Sequence, residues 1–492
     1  MKKYHYIACD LGAGSGRVML GTLENGRVSL EEIHRFTSDP VRIRGTLRWD
    51  ILQIFSELKI GLKKLADRNI APKSLSVDSW GVDYVLFRAD EPVLSMPFQY
   101  RDSRTDTAYT EAIARATQEV IFANTGIQFM SINTLYQFVA DLKQRPGVVA
   151  AADQFLNIAD YLNYLFSGVA RSEESLASTT QVYNPKLRAW SDKLIELFGF
   201  PAKLFPQIVP SGTQLGPLVP EVAFETKLSG VQVVASCSHD TGAAVAAVPA
   251  EGSDWAYLSS GTWSLIGVEL PTPLMSEEAR QHNFTNEAGF GGTTRFLKNI
   301  IGLWLLQECR RAWADRGNKI GYEELERSAA ESEPLRSLIH PNAARFWKPD
   351  DMPEKIASYC RETDQPVPET PGQFVRCIFE SLALLYREAL GNLETVTGNE
   401  IHVLHIVGGG SRHVLLNQCA ANATGRRVVT GPVEATAIGN VLVQAIAMGD
   451  LASLQSLRET VRDSFPVETY QPDGDPAWFA ARERFGALKL MS

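Results

Sequence analysis

A strand–turn–strand pattern occurs twice in this chain, and it constrains the fold more than any other feature. The first copy lies at residues 4–23, where a glycine-rich turn at 11–17 separates two apolar strands. The second copy lies at residues 255–268, and its turn is Ser260-Gly261-Thr262. Because repetition of one supersecondary unit indicates related substructures, we expect two related lobes.

Composition limits the class of protein. The chain has 492 residues, enough for two or more domains with a large core. Its formal net charge is -9, which argues against a general nucleic-acid binder, since such a protein carries a basic patch. No stretch approaches the roughly 18 apolar residues that a membrane span needs, and the apolar run at the N-terminus is too short for a secretory signal. We therefore expect neither a nucleic-acid nor a membrane partner.

The cysteines indicate a reducing environment. The chain contains Cys9, Cys237, Cys309, Cys360, Cys377 and Cys419. They form no C-x-x-C pair, so metal-cluster spacing is absent. Isolated cysteines in a chain without a signal favour a cytoplasmic location. Cys360 and Cys377 could meet in space, but buried free thiols are the favoured interpretation.

A polar cluster follows a predicted buried strand near the middle of the chain. Residues 231–236 are rich in valine, and Ser238-His239-Asp240-Thr241-Gly242 comes directly after them. Open α/β folds place their chemistry at the carboxyl ends of such strands. Asp240 could accept a hydroxyl proton during phosphoryl transfer. It could equally cap the small-residue helix that follows, and the local sequence leaves both roles open.

The first glycine-rich turn, DLGAGSGR at residues 10–17, fits neither of two common phosphate-binding motifs. A dinucleotide fingerprint needs G-x-G-x-x-G entering a helix, and a Walker loop needs Gly-Lys-Ser/Thr. Here the glycines alternate and lead into a strand. The segment is therefore either a hairpin turn whose N–H groups face an anion or a plain glycine hairpin. Asp10, at the end of the strand, could hold the hydration shell of a metal.

Two further turns suit an anion or a nucleotide. Thr262 adds a hydroxyl donor to the turn at 260–262. Gly408-Gly409-Gly410 follows a predicted strand at 401–407 and leaves a flat surface before a helix that Ser411 is predicted to cap. Plain turns are the alternative for both.

Loops and helices in the remaining sequence carry other candidates. Aromatic and charged residues at 78–83 and 100–102 suit recognition of a polyol, or they form ordinary loop salt bridges. Residues 154–166 and 296–313 have helical character, and Asp50 is a candidate N-cap for a helix at 51–69. Asn299 would then lie near the start of the 296–313 helix, with Gln307 about two turns further on.

Together these segments resemble the FGGY carbohydrate kinases, members of the sugar kinase, Hsp70 and actin superfamily. The similarity runs through nearly the whole chain: DLGAGSGRVML, DSWGVDYVL, YRDSRT, GIQFMSINTLYQ, SHDTGAAV, YLSSGTWSL, FLKNIIGLWLLQ, RCIFESLALLY and HIVGGGSRHVLLNQ occur in the family's order. It implies an α/β fold of two actin-like (ribonuclease H-like) lobes, each a mixed sheet flanked by helices, with an active-site cleft between them. We place the lobes at 1–246 and 247–492.

The resemblance also implies an activity. It implies transfer of the γ-phosphoryl group of ATP to O1 of L-rhamnulose with Mg²⁺, in L-rhamnose catabolism, by a cytoplasmic monomer or small homo-oligomer. DSWGVD, YRDSRT and NTLYQ favour this sugar over glycerol and xylulose. The alternatives are a kinase for another ketose such as L-fuculose, or a non-catalytic actin-like ATP-binding sugar sensor.

Site residues follow from the positions that match the family's motifs. For ATP these are Ala13, Gly14, Ser15, Gly16, Arg17, Thr262, Gln307 and Gly409. For the sugar they are Gly81, His239, Asp240, Thr241 and Asn299, with Asp240 as the proton acceptor, while Asp10 stays a candidate from its own position to hold a metal through water. One departure is the sequence Ala-Gly-Ser at 13–15 in place of Ala-Ser-Ser, which removes one hydroxyl donor to the phosphates.

Overall fold

The chain divides into two compact units in the computed structural model, which describes residues 2–488. The first unit takes in the chain up to Pro249 together with Glu269–Phe296 and Ala435–Phe465. The second unit consists of Ala250–Val268, Leu297–Glu434 and the described residues from Pro466 onward. The first unit therefore includes two later segments, and the division at residue 246 stays a prediction.

The strands and helices follow one another in mixed order. The strands are β1 (Lys3–Leu11), β2 (Ser15–Glu24), β3 (Arg27–Thr37), β4 (Val41–Ile43), β5 (Thr46–Arg48), β6 (Ser74–Ser79), β7 (Tyr84–Phe87), β8 (Gln154–Asn157), β9 (Ser172–Glu173), β10 (Tyr183–Asn184), β11 (Ala189–Trp190), β12 (Ile208–Val209), β13 (Thr213–Pro217), β14 (Gln232–Ala235), β15 (Trp255–Ser260), β16 (Trp263–Leu270), β17 (Thr285–Ala288), β18 (Thr294–Ile301), β19 (Val403–Val407), β20 (Arg427–Thr430) and β21 (Glu468–Tyr470). The α-helices are α1 (Ile51–Ala66), α2 (Thr105–Arg115), α3 (Gln118–Thr125), α4 (Thr134–Gln144), α5 (Pro146–Ala151), α6 (Ile158–Ser167), α7 (Glu174–Ala177), α8 (Asp192–Phe198), α9 (Pro220–Thr226), α10 (Asp240–Ala246), α11 (Glu277–Gln281), α12 (Trp304–Asp315), α13 (Tyr322–Glu331), α14 (Met352–Glu362), α15 (Pro371–Thr397), α16 (Val414–Thr424), α17 (Ala435–Ala447), α18 (Leu454–Ser464) and α19 (Ala477–Ala487). Short 3-10 helices span Ser178–Thr180, Ala202–Leu204, Phe290–Gly292, Ala344–Phe346 and Gly409–Arg412.

A six-stranded mixed sheet forms the centre of the first unit, in the order β13-β14-β6-β1-β2-β3. Strands β14, β6 and β1 run parallel, whereas β2 and β3 continue from β1 as antiparallel hairpins. The β2–β3 turn has positive φ at both Asn25 (54°) and Gly26 (75°), the conformation that an Asn-Gly sequence favours in a two-residue hairpin.

The second sheet repeats this plan, in the order β17-β18-β16-β15-β19-β20-β21. Its strand β15 pairs antiparallel with β16 and parallel with β19, as β1 does with β2 and β6. An antiparallel edge strand follows the parallel strands in both sheets: β13 in the first and β21 in the second. The expectation of two related lobes, each a mixed sheet flanked by helices, is confirmed.

Helices cover the first sheet through specific polar contacts as well as apolar burial. Helix α17 packs on β1, where Gln444 Nε2 donates to the carbonyl of Ile7 at 3.0 Å. Its Gly439 lies against the Ala243 backbone of α10, so closely that any side chain would clash. Helix α1 begins as predicted, since the Asp50 carboxylate accepts the Gln53 N–H at 3.0 Å.

Three sequence predictions of secondary structure were wrong. Residues 154–157 form a strand, and helix α6 starts only at Ile158. Asn299 lies inside strand β18, and α12 starts only at Trp304; between the two elements Gly302 approaches the carbonyl of Gly261 so closely that a Cβ would lie 2.7 Å away. Ser411 does not cap a helix: its hydroxyl donates to the carbonyl of Gly408 at 2.7 Å, and α16 begins after His413.

The six cysteines are all buried and free, which confirms the free-thiol interpretation. Cys360 and Cys377 do meet in space. Their hydrogen bond lowers the pKa of the Cys360 thiol and raises the pKa of the Cys377 thiol. Within residues 2–488, no helix is both long and apolar enough to cross a membrane.

Candidate active site

Three carboxylates gather where the parallel strands of the first sheet end. Asp10 on β1 stands opposite Asp78 on β6 in the strand register. Beyond β14 the chain continues beside β6, because Ser79 N–H donates to the Ser238 carbonyl at 2.9 Å and Ser79 forms a parallel bridge with His239. Asp240 follows immediately and reaches the same edge, which is where ligands bind in open α/β sheets.

The charges of these groups act on one another. Asp78 is fully buried; burial, followed by the charge of Asp10, raises its pKa well above the ordinary range. The Asn440 amide donates to Asp78 Oδ2 at 2.5 Å, while Oδ1 has no hydrogen-bond partner among the described residues. Burial, helped by the charge of Asp10, also raises the pKa of Asp240, although the neighbouring His239 opposes this. The carboxylates at this edge of the sheet therefore favour a ligand that carries positive charge or can give up a proton.

Asp240 is the first residue of α10, and His239 occupies the N-cap position. The Asp240 Oδ1 accepts hydrogen bonds from Thr241 N–H at 2.5 Å and from Thr241 Oγ1 at 3.2 Å. Its side chain is 33% exposed, and no hydrogen bond from another described residue reaches Oδ2. One oxygen is thus held by the start of the helix, and the other is open to a ligand hydroxyl.

Two buried side chains clamp the backbone just before Asp240. Glu173 Oε2 accepts the Ser238 N–H at 3.1 Å, and Ser175 Oγ accepts the His239 N–H at 3.0 Å. Glu173 also accepts from Ser175 N–H and from Ser211 Oγ, and burial raises its pKa. Glu173 and Ser175 could not be predicted from the sequence, because nothing near residue 173 indicates a partner 65 residues away.

The turn between β1 and β2 is the predicted phosphate loop. Gly12 N–H donates to the Ser15 carbonyl at 2.9 Å and closes the turn. Gly14 is exposed, and a Cβ there would meet nothing within 4 Å, whereas a Cβ on Gly16 would clash with the Phe36 ring. Gly16 therefore serves packing, and residues 13–15 present the open face of the turn.

Arg17 stands beside this turn. Its guanidinium forms an ion pair with the Asp10 carboxylate, directly across the β1–β2 ladder. Its side chain remains 17% exposed. The contact fixes the cation near residues 13–15, and it also balances part of the negative charge at the sheet edge.

Gly81 follows β6 and is buried against Thr179, whose Oγ1 would lie 2.8 Å from an added Cβ. The loop is strained at the next residue, Val82, which has a φ of 66°. Thr179 Oγ1 accepts the Val82 N–H at 3.2 Å and supports this conformation. A side chain at position 81 would therefore displace the loop.

The other carboxylates of the two predicted polyol loops are used for structure. Donors from Trp49, Trp80, Tyr100 and Gln137 surround the buried Asp83 carboxylate. Burial raises the pKa of Asp83 to about 6 in spite of these donors. Asp102 accepts the N–H groups of Leu47 and Arg104. Asp83 and Asp102 therefore hold loops in place, in line with the structural alternative.

In the second unit, two of the predicted ATP residues meet. Thr262 Oγ1 donates to Gln307 Oε1 at 3.1 Å. The turn is fixed to the start of α12, because Leu303 N–H donates to the Gly261 carbonyl at 2.9 Å and Trp304 N–H donates to the Thr262 carbonyl at 3.2 Å. Asn299 is half-buried on β18 in this unit.

The triple glycine lies against the same turn. Gly408 has a φ of 84°, and a Cβ there would approach the Ser260 carbonyl to 3.0 Å. A Cβ on Gly410 would clash with the Ser260 side chain, whereas a Cβ on Gly409 would meet nothing within 4 Å. The outer glycines permit close packing against Ser260, and Gly409 between them offers an open backbone surface.

Comparisons with known proteins identify the class. The model of the N-terminal domain of the FGGY family of carbohydrate kinases matches residues 5–247, and the model of its C-terminal domain matches residues 256–448. The chain belongs to the FGGY family of carbohydrate kinases.

Its curated relatives include several proteins named rhamnulokinase. The chain is 44% identical to the one from Bacteroides thetaiotaomicron over 98% of its own length and 99% of the relative. It is 42% identical to the one from Enterococcus faecalis, over 100% of this chain and 99% of the relative. For the rhamnulokinase of Bacillus subtilis the identity is 38% over 95% of each chain.

Solved structures share the fold. A ligand-bound xylulose kinase from Lactobacillus acidophilus superimposes with a TM-score of 0.81 at 15% identity, covering 98% of this chain and 96% of that chain. Glycerol kinase from Plasmodium falciparum with ADP gives 0.79 at 14% identity, covering 98% and 97%. These likenesses support the two-lobed architecture of a sugar kinase.

Proposed function

We propose that the protein is a rhamnulokinase. It transfers the γ-phosphoryl group of ATP to O1 of L-rhamnulose and forms L-rhamnulose 1-phosphate and ADP, a step of L-rhamnose catabolism. The observation that carries the proposal is the near full-length similarity to relatives of that name, at 38–44% identity. The carboxylate edge of the first sheet supplies the chemistry such a transfer needs.

Asp240 acts as the general base. Its Oδ2 takes the proton of the O1 hydroxyl as O1 forms a bond to the γ-phosphorus and the bond from phosphorus to the bridging β–γ oxygen of ATP breaks. The electron pair of that bond leaves with ADP, and the proton stays on Asp240 until it passes to solvent. The support is local: Oδ1 is anchored by Thr241, and the backbone before it is clamped by Glu173 and Ser175.

The sugar contacts are Gly81, His239, Asp240, Thr241 and Asn299, whose side chain adds an amide. The nucleotide contacts are Ala13, Gly14, Ser15, Gly16, Arg17, Thr262, Gln307 and Gly409. Support comes from the open turn at 13–15, the Thr262–Gln307 hydrogen bond and the open backbone at Gly409.

Asp10 is the residue that would hold Mg²⁺ through water. The fit rests on its carboxylate at the sheet edge and on the buried, unpartnered Asp78 Oδ1 behind it, since Mg²⁺ prefers oxygen ligands and usually keeps several waters. When bound, the ion would offset charge on the phosphates. Because the reaction uses cellular ATP, we place the enzyme in the cytoplasm, as a monomer or small homo-oligomer.

A coupled ADP-release assay over L-rhamnulose, L-fuculose, L-ribulose, L-xylulose and glycerol tests the proposal. We expect the highest kcat/KM with L-rhamnulose and a product that carries phosphate on O1 by ³¹P NMR. Preference for another sugar would make the protein a different ketose kinase. Nucleotide and sugar binding without turnover on any of the five would favour the sensor instead.

A further inference from the structure

A buried ion pair stands directly behind the imidazole of His239. Arg295 Nη1 lies 3.0 Å from Glu287 Oε2, and both side chains are almost completely buried. The Nδ1 atom of His239 lies 3.1 Å from Arg295 Nη2 and 3.3 Å from Glu287 Oε2. On the other side of the ring, Nε2 lies 3.4 Å from Asp240 Oδ1. Arg295 and Glu287 therefore contact the Nδ1 side of the His239 ring, whereas Asp240 lies on the Nε2 side.

The ion pair is held firmly in place. Glu287 lies on β17 and Arg295 on β18, within the segment Glu269–Phe296 of the first unit. Arg295 Nε donates to the Ala288 carbonyl at 3.1 Å, and its Nη2 would lie 3.4 Å from a Cβ on Gly242. Burial alone would raise the pKa of Glu287, but the charge of Arg295 is the main cause that lowers this pKa below its ordinary value. The carboxylate thus stays charged and balances the guanidinium.

The chemistry of the guanidinium decides which nitrogen of His239 carries the proton. Arginine has donors only, so Nδ1 must accept at the 3.1 Å contact with Arg295 Nη2. Glu287 Oε2 is farther from Nδ1 and already faces Arg295 Nη1. If Nδ1 carried a proton, two N–H donors would face each other at this contact and repel. The proton of the neutral ring therefore belongs on Nε2.

We infer that Arg295, backed by Glu287, is a positioning residue that fixes His239 in the Nε2–H tautomer, with that N–H directed to the side of Asp240. There it donates to the Asp240 carboxylate or to the hydroxyl of a bound sugar, and it keeps the base and the hydroxyl aligned. The catalytic consequence rests on the proposed function, whereas the tautomer itself does not. Neither Glu287 nor Arg295 has a sequence signal of such a role.

The test measures the tautomer directly. Protein labelled with ¹⁵N-histidine is examined by long-range ¹H–¹⁵N correlation at about pH 8, where an ordinary imidazole is neutral. His239→Gln identifies the signal. We expect a protonated Nε2 and an unprotonated, hydrogen-bonded Nδ1 for His239. An Nδ1–H tautomer or a doubly protonated ring in the wild-type protein would overturn the inference.

Variants connect the tautomer to turnover. Arg295→Met combined with Glu287→Met removes every donor to Nδ1 from this pair without leaving an unpaired buried charge. We expect it to mix the His239 tautomers and to lower kcat about 10²-fold, the scale of a misplaced reacting group, with the KM for ATP unchanged. Arg295→Lys keeps a donor and should restore the tautomer and part of kcat.

The matched control removes another buried ion pair of the first unit. Arg104→Met with Asp141→Asn acts on an arginine that donates to Asp141 and Gln137. This control should leave the His239 tautomer as in the wild type. An unchanged tautomer and kcat in the Arg295→Met, Glu287→Met protein would overturn the inference. An Nε2–H tautomer in a protein that phosphorylates none of the sugars would instead overturn only the proposed function.

Discussion

At the scale of single residues, Asp240 is the group on which we expect turnover to depend most. Asp240→Asn keeps the shape of the side chain and an oxygen for the Thr241 N–H, so the fold and ATP binding should persist. The amide cannot take the hydroxyl proton, and we expect kcat to fall by about 10²-fold or more. Steady-state kinetics measure kcat, thermal unfolding measures the stability of the fold, and calorimetric titration measures the affinity for ATP.

Asp192 supplies a matched control for this variant. It is also the first residue of a seven-residue helix, α8, but its side chain is exposed. Asp192→Asn should leave kcat unchanged. Near-normal turnover of Asp240→Asn would remove Asp240 from the mechanism.

The ionisation of Asp240 should also set the pH dependence of kcat/KM. A general base works only when it is deprotonated, so activity is present above its pKa and is lost as the pH falls through it. Burial raises that pKa, and the acid limb should therefore lie above the value of about 3.9 for an ordinary aspartate. A pH–rate profile for L-rhamnulose measures the limb. An acid limb at or below the ordinary value would contradict the assignment of a raised pKa to the base.

At the scale of elements, the contact between the triple glycine and the β15–β16 turn holds together the residues of the second unit that are predicted to bind the nucleotide. A methyl group on Gly410 would clash with Ser260, so Gly410→Ala should cost about 1–3 kcal/mol of unfolding free energy. It should also raise the KM for ATP, because the loop must move. Urea unfolding and initial rates measure both effects.

Gly409→Ala provides the comparison one residue away. Its added methyl meets nothing within 4 Å, so the unfolding free energy should change by no more than about 0.5 kcal/mol. The KM for ATP should still rise, since the methyl stands on the surface predicted to face the nucleotide. Equal stability of the two variants would contradict the packing argument, and an unchanged KM in Gly409→Ala would contradict the nucleotide contact.

At the scale of the whole molecule, the segment Ala435–Phe465 completes the first unit although it comes late in the chain. Its Asp450 accepts hydrogen bonds from Tyr6 Oη at 2.6 Å and from Lys73 Nζ at 2.5 Å. Asp450→Ala leaves two partly buried donors without their acceptor. We expect a loss of about 1–3 kcal/mol in the urea unfolding free energy.

Asp463, an exposed aspartate in the same segment, is the control for this variant. Asp463→Ala should change the unfolding free energy by less than about 0.5 kcal/mol. Equal effects of the two substitutions would show that the segment does not stabilise the first unit through Asp450.

The sequence by itself determined the features that consecutive residues encode. The Asn25-Gly26 hairpin, the Asp50 cap and the polar end of β14 were all predictable, because turn, cap and strand preferences act over a few residues. The family motifs indicated the two lobes. Local pattern failed at Asn299, which lies on the largely buried strand β18, and α12 begins only at Trp304, after Gly302 packs closely against the Gly261 carbonyl.

The tertiary structure alone decided which distant groups meet. The sequence was compatible with Asp240 either as a general base or as a helix cap. In the structure its Oδ1 accepts hydrogen bonds from Thr241, and no other described residue donates a hydrogen bond to its Oδ2. The Glu173 clamp and the Arg295–Glu287 pair behind His239 have no sequence signal. The physical reason is that a buried charge must find a partner wherever packing brings one, and that choice depends on the folded chain rather than on neighbouring residues.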